Sequence, residues 1–311
     1  MEYNGNLVRL MTEIHEYKGK QIIYLQYNNK TLEKLKFAAL FHNVKYGCAL
    51  SGINISETKL LQLLHYKKGF DNEIEAQVCG YRDATVLINE DYEFIDINYH
   101  SIVNLYLEMT LGDTETIEVI ADDKKQCLIR RCNEYNDKMN NKSVNILTEI
   151  FEFMYQFIQS DIFGKRTMLL SRLLMQLLLF KSNILVTQYQ SIDRLIFLDR
   201  SNGKQKLRKK QMDLFNFQSV LSFQDYYFMK LIESYEALDY NFQLILDTNI
   251  TPKYRVLNVL NRSFDPISRS ELEIMLADIS RKTIERALVQ LQKEVLIEKV
   301  GQGKATKYKV K

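Results

Sequence analysis

The 311 residues include 42 Lys and Arg against 39 Asp and Glu, with 46% hydrophobic and 26% charged residues, a mix that excludes collagen-like, low-complexity and highly charged disordered chains. This length predicts two or three domains with a sizeable core. The start of the chain lacks a basic-then-apolar layout, and the longest apolar run, Leu169 to Phe180, is broken by Ser171, Arg172 and Gln176, so a cytoplasmic chain with no membrane contact is expected. Cys48, Cys79, Cys127 and Cys132 form no CxxC pair and no zinc spacing with the four histidines, which predicts reduced thiols and no metal.

Helical periodicity dominates the first 250 residues. Apolar residues recur at three- and four-residue spacing over Leu32 to Leu40, Thr58 to His65, Ile74 to Ile88, Ser101 to Met109, Leu147 to Ile158, Met168 to Phe180 and Phe223 to Leu238. Asn89 to Asp91 and Gly112 to Thr116 read as loops. The basic run Lys204 to Lys210 follows Asn202-Gly203 and reads as a solvated loop, with a second DNA contact as the alternative. No phosphate-cradling glycine loop and no Ser/His/Asp spacing stands out.

The tail differs in charge. From Pro252 onward there are 13 Lys and Arg against 7 Asp and Glu, leaving 29 against 32 for the rest. A basic tail on a slightly acidic body predicts that the tail meets nucleic acid. Both prolines of the chain, Pro252 and Pro266, lie in it. Pro252 opens a short helix whose apolar stripe is Tyr254, Val256, Leu257, Val259 and Leu260, and a turn follows from Asn261 to Pro266. Ser268-Arg-Ser-Glu271 is a capping box, with Leu272, Met275 and Leu276 facing inward beyond it. Ser280 caps a further helix with Ile284, Leu288 and Leu291 inward and Arg281, Lys282, Thr283, Arg286 and Gln290 outward. Leu296 to Val300 and Lys304 to Val310 form strands joined by Gly301-Gln302-Gly303, a hairpin tip that tolerates positive φ. Three helices and this hairpin predict a winged helix-turn-helix over 252–311, bound to double-stranded DNA. The helix after Ser280 enters the major groove. Arg269, Arg281, Lys282, Thr283, Arg286 and Gln290 are the candidate contacts, with Lys304 and Lys307 reaching the flanking backbone. A winged helix used only for protein contacts is the competing reading.

Several stretches carry a resemblance. Ile14-His-Glu-Tyr-Lys-Gly-Lys-Gln21, Glu75-Ala-Gln-Val-Cys-Gly-Tyr-Arg-Asp83, and Phe157-Ile158 with Ser171-Arg-Leu-Leu174 together resemble Fic (Fido) proteins that carry a C-terminal winged helix. The resemblance implies a mainly α fold: an N-terminal helical region over 1–100, a Fic-like helical domain over 101–250, then the winged helix. Fic enzymes transfer AMP from ATP to a protein hydroxyl through the motif HPFxDGNGRxxR. The aligned segment here reads Asp161-Ile-Phe-Gly-Lys-Arg-Thr-Met-Leu-Leu-Ser-Arg172.

That segment departs from the motif at the groups that do the chemistry. The histidine base falls on Asp161; an unperturbed Asp, near pKa 3.9, is a much weaker base. The magnesium-binding acid falls on Lys165, of the wrong charge. The glycine-rich anion cradle falls on Arg166, Thr167 and Met168, whose side chains crowd it. The first arginine falls on Leu169, and only Phe163 and Arg172 match. The restraining glutamate of the family's inhibitory motif falls on Ser51. Arg172 is therefore expected to pair with another acid, Glu152 or Asp161.

The expectation is a DNA-binding transcriptional regulator with an inactive Fic-like domain that serves dimerisation or ligand sensing, with no cofactor. The sensing version has Lys165, Arg166 and Arg172 hold a nucleotide or phosphate without metal. A homodimer is expected from the family and from the symmetry of DNA-binding regulators. The alternative is a protein adenylyltransferase with a divergent site, using ATP and magnesium and with Asp161 as base.

Overall fold

The computed structural model describes residues 5–26, 29–66, 70–141, 145–201, 217, 219–246, 250–263, 266–276, 278–303 and 306–311. The chain is mainly α. Its body holds α1 (Gly5–Leu25), α2 (Asn29–Leu50), α3 (Glu57–Tyr66), α4 (Glu73–Asp91), α5 (Tyr99–Thr110), α6 (Thr114–Glu118), α7 (Asp122–Met139), α8 (Ile146–Ser160), α9 (Thr167–Lys181), α10 (Ile192–Ser201) and α11 (Val220–Leu246).

Each periodic stretch read from the sequence lies inside one of these helices. Helices α1, α6, α7 and α10 correspond to none of those stretches. In α7 only Leu128, Cys132 and Tyr135 are buried, a stripe too sparse to stand out among its charges. Asn89 to Asp91 is not a loop but the last turn of α4, whose Tyr92 amide bonds back to the Ile88 carbonyl. The loop expected over Gly112 to Thr116 is cut short, because the Asp113 carboxylate accepts from the Thr116 amide and starts α6 at Thr114.

Helix α9 sits at the centre of the body, with every residue from Thr167 to Phe180 buried. A helix with Leu, Met and Phe on every side, interrupted only by Thr167, Ser171, Arg172 and Gln176, belongs there, since each large apolar side chain withdrawn from water contributes roughly 1.5–3 kcal/mol. Around it α1 packs on α11, α2 on α10, α4 on α5, and α8 on α7 and α11. Buried side chains from Leu7 to Phe242 share this one core, with no break near residue 100. Gly80 marks a close helix approach. A Cβ there would stand 2.3 Å from the Met109 carbonyl oxygen on α5, so α4 and α5 meet backbone to backbone.

The stretches that carry the Fic resemblance are structural here. Gln21 is buried; its amide donates to the Asn183 carbonyl at 2.8 Å, while its oxygen accepts from the Leu185 amide and the Tyr235 hydroxyl. It ties α1 to α11 and to the loop after α9. Glu75 accepts the Asp71 amide at 3.0 Å and lies 3.1 Å from Lys59, which ties α4 to α3. Asp71 also bonds Lys59.

The C-terminal unit has its own core, built on Val256, Leu260, Leu272, Leu276, Ile284, Leu288, Leu291 and Ile297. Its elements are α12 (Pro252–Arg262), β1 (Ile267–Ser268), α13 (Arg269–Met275), α14 (Arg281–Lys293), β2 (Ile297–Val300) and β3 (Lys307–Val310). Pro252 stands in the first turn of α12, where its missing amide costs nothing. The three strands are antiparallel in the order β1-β3-β2, with Ile267 opposite Tyr308 and Ile297 opposite Val310. Strand β2 starts one residue later than expected, at Ile297, and β3 starts at Lys307, with 304 and 305 outside the described residues. Gly301 and Gly303, at φ of 81° and 58°, turn the chain between them. Tyr254 is not part of the inward stripe of α12. It is 53% exposed, with the Lys253 ammonium 5.0 Å from its ring centre.

The two units meet through α13 and α2. Ile274 of α13 joins the body's core. Lys45 of α2 lies 2.7 Å from Glu57 and 2.8 Å from Glu271. The Ser268 hydroxyl donates to Glu57 at 2.8 Å.

Candidate functional site

Two places carry the residues singled out from the sequence. The first is α14 with its surroundings. Both expected caps are present. Ser268 accepts from the Glu271 amide while Glu271 accepts from the Ser268 amide, a complete capping box, and Ser280 accepts from the Thr283 amide. The buried side of α14 is Ile284, Ala287, Leu288 and Leu291. Its other side exposes Lys282, Arg286 and Gln290. Lys282 and Arg286 have no ion-pair partner among the described residues.

The other cations are engaged. Arg281 lies 3.2 Å from Glu285 and 3.7 Å from Glu273. Arg269 lies 2.8 Å from Glu285 and 3.2 Å from Glu273. These four form a network that offsets their own charge beside the helix. The Thr283 hydroxyl is bonded to that of Ser280. Lys307 lines the seam between the units, 3.8 Å from Glu57. Lys304, like the run Lys204 to Lys210, lies outside the described residues.

The second place is Asp161 to Arg172, between α8 and α9. Asp161 is exposed and closes α8 in the left-handed region at φ 43°. Phe163 is buried and stacks on Tyr106, with ring centres 5.0 Å apart; its amide donates to the Thr167 hydroxyl at 3.1 Å. Beneath it the Tyr106 and Thr116 hydroxyls donate to Asp113 at 2.6 and 2.8 Å. They hold the Asp113 carboxyl below the usual carboxylate range, and burial, with Asp113, pushes Tyr106 up to about 12. Thr167 and Met168 are buried in the first turn of α9.

Lys165 is exposed and Arg166 half-buried. They line a hollow of about 590 Å³ with Lys124, Asp113 and Asp161, and neither has an ion-pair partner among the described residues. Arg172 is not with them. It is buried in α9 and pairs with Asp193 of α10, beside a different cavity of about 40 Å³. The expected partners do not reach it, for Glu152 pairs with Lys138 at 3.3 Å and Asp161 faces solvent. Asp193 stands 21 residues beyond Arg172 in the chain, a separation with no periodic signature in the sequence. Ser51 follows the end of α2; its hydroxyl is buried without a hydrogen-bond partner. Nearby, burial and the Asp193 carboxylate push the Cys48 thiol up to about 12. Among the described residues no group of three or more His, Cys, Asp or Glu side chains is placed to hold a metal ion, and no helix is long and apolar enough to cross a membrane.

No protein-family model matches this sequence, and no curated protein matches it. Solved structures do. A Fic family protein from Desulfovibrio desulfuricans G20 superposes with a TM-score of 0.55 at 12% identity, over 100% of this chain and 97% of the other. A Fic domain containing signaling protein from Bacteroides thetaiotaomicron VPI-5482 superposes with a TM-score of 0.52 at 12% identity, over 75% of this chain and 96% of its own. This chain has the Fic fold. At such low identity the shared property is the backbone arrangement, and what the Fic fold does here rests on its side chains.

Proposed function

We propose that this chain is a DNA-binding transcriptional regulator. Its C-terminal unit is a winged helix, and its Fic-fold body transfers no AMP. The observation that carries the reading is the exposed face of α14. Lys282 and Arg286, with their charge unspent, and the amide of Gln290 stand clear of the C-terminal core, while Ile284, Leu288 and Leu291 anchor the other side. A helix of 13 residues with a basic outer face fits the major groove, about 12 Å wide. The order β1-β3-β2 behind it supports a winged arrangement, with the hairpin tip at Gly301 to Gly303 beside the phosphate backbone. Regulators of this kind bind paired half-sites as two-fold dimers, and the same assembly is proposed here.

The body supports this reading by what stands at Asp161 to Arg172. An exposed carboxylate occupies the base position and an ammonium, Lys165, the metal-binding position. Buried Thr167 and Met168 fill the place where backbone amides receive an anion. Arg172 is held inside the body by Asp193 and is not free to clamp a phosphate.

The test has two parts. Fluorescence anisotropy with mixed-sequence double-stranded DNA is run across salt concentrations. Binding that falls linearly with log salt is expected, with a smaller slope for the Lys282→Ala/Arg286→Ala variant; an unchanged slope overturns the DNA face. Calorimetry with ATP, with and without magnesium, tests the body. Magnesium-dependent binding overturns the inactive reading and turns attention to Asp161.

A further inference from the structure

The seam between the units opens into a cleft of about 730 Å³, within the usual range of small-molecule sites and at the domain junction where they often occur. Among the described residues its ionised groups do not cancel. Lys45 is held by Glu57 and Glu271, and Lys307 adds a second cation beside Glu57, so these four balance. Arg194 of α10 also lines the cleft and has no carboxylate partner among the described residues. It is a half-buried guanidinium left in surplus, in a geometry suited to two parallel bonds to an oxyanion. Next to it in the lining stand two rings, Tyr46 and Phe197, with centres 5.1 Å apart and tilted 47°.

His42 closes the floor beside them. It is 8% exposed, its Nε2 has no hydrogen-bond partner among the described residues, and its ring centre lies 5.8 Å from that of Tyr46. Burial, then the charges of Arg194 and Lys45, push its pKa well below the ordinary value, so it stays neutral and adds no competing charge. An unpaired cation, an aromatic wall and an unsatisfied polar floor together specify a ligand.

We propose that this cleft binds a small molecule with a planar ring bearing an oxyanion, the ring against Tyr46 and Phe197 and the anion on Arg194. The site is separate from the Asp161–Arg172 segment, and the proposal does not depend on DNA binding. Because the lining comes from both units, occupancy bears directly on the Lys45–Glu271 contact that joins them.

Saturation-transfer NMR on the full chain tests this with benzoate, phenyl phosphate and neutral benzamide as probes. Transfer from at least one of the two acids is expected, with benzamide markedly weaker; the preferred acid tells a carboxylate from a phosphate ligand. Arg194→Gln weakens the preferred acid by about tenfold or more, and Phe197→Ala also weakens it, in proteins whose melting temperature shows them folded. Arg166→Gln, in the other hollow, leaves binding intact. No transfer from either acid overturns the proposal. So does benzamide matching the acids, or loss with Arg166→Gln in place of Arg194→Gln.

Discussion

Lys45 of α2 and Glu271 of α13 meet at 2.8 Å across the seam between the helical body and the C-terminal unit, and Glu271 is also the acid of the capping box that starts α13. One carboxylate thus serves the start of a helix and the junction of two units. Burial alone would raise the Glu271 pKa, but the Lys45 ammonium outweighs it and holds the carboxyl well below the usual carboxylate range.

Glu271→Gln leaves Lys45 with only Glu57 and weakens the cap. A loss of about 3 kcal/mol is expected for breaking a buried pair, read as a lower urea midpoint at neutral pH. The pH dependence has a definite sign. Because the folded pKa is depressed, the contribution of Glu271 is present in full above the ordinary glutamate range. It fades as pH falls through the depressed folded value. Wild type and Glu271→Gln should therefore converge in stability in strong acid; a constant gap down the acid range counts against the pair.

Arg172 and Asp193 make a second test. Asp193→Asn strands a buried guanidinium and should cost about 3–5 kcal/mol, whereas Arg172→Met with Asp193→Leu removes both charges and should cost far less. Urea denaturation of the two proteins measures the difference. Equal losses would mean that the pair carries no special weight.

On the proposed DNA face, Lys282 and Arg286 should each remove close to one phosphate contact, about 0.9 from the log–log salt slope, when changed to Ala. Arg281→Ala should change the slope less, because Glu285 and Glu273 already offset its charge. Anisotropy titrations at four salt concentrations order the three variants. A larger effect at Arg281 would contradict the order argued from these ion pairs.

Gly80→Ala tests the close contact of α4 with α5. Alanine favours a helix over glycine by about 1 kcal/mol, but its Cβ would stand 2.3 Å from a backbone oxygen that no rotamer can move. Overpacking costs about 1–3 kcal/mol, so a lower melting temperature is expected. A rise would show that α4 and α5 separate freely.

Much of the fold was legible because its causes are local. Ser268, Ser280 and Pro252 mark helix starts through side-chain groups three or fewer residues away, and the inward stripe of α14 repeats at helical spacing. The charge contrast of the tail is likewise a property of composition. Helix α7 was not legible, since its three buried residues stand among charges that the sequence leaves without a visible face.

What the tertiary structure alone decided are contacts between residues far apart in the chain. Arg172 finds Asp193, not Glu152 or Asp161, because α10, packed on α2 and α11, brings Asp193 to it. Gly80 must be glycine because α5 passes against it. Lys45 meets Glu271 at a separation of 226 residues. Arg194 and Phe197 of α10 stand beside Tyr46 because α10 packs on α2, and the C-terminal unit supplies the facing side of the cleft. Spacing along a helix records which side chains share a face; which other surface that face meets depends on packing the whole core, and no local pattern encodes it.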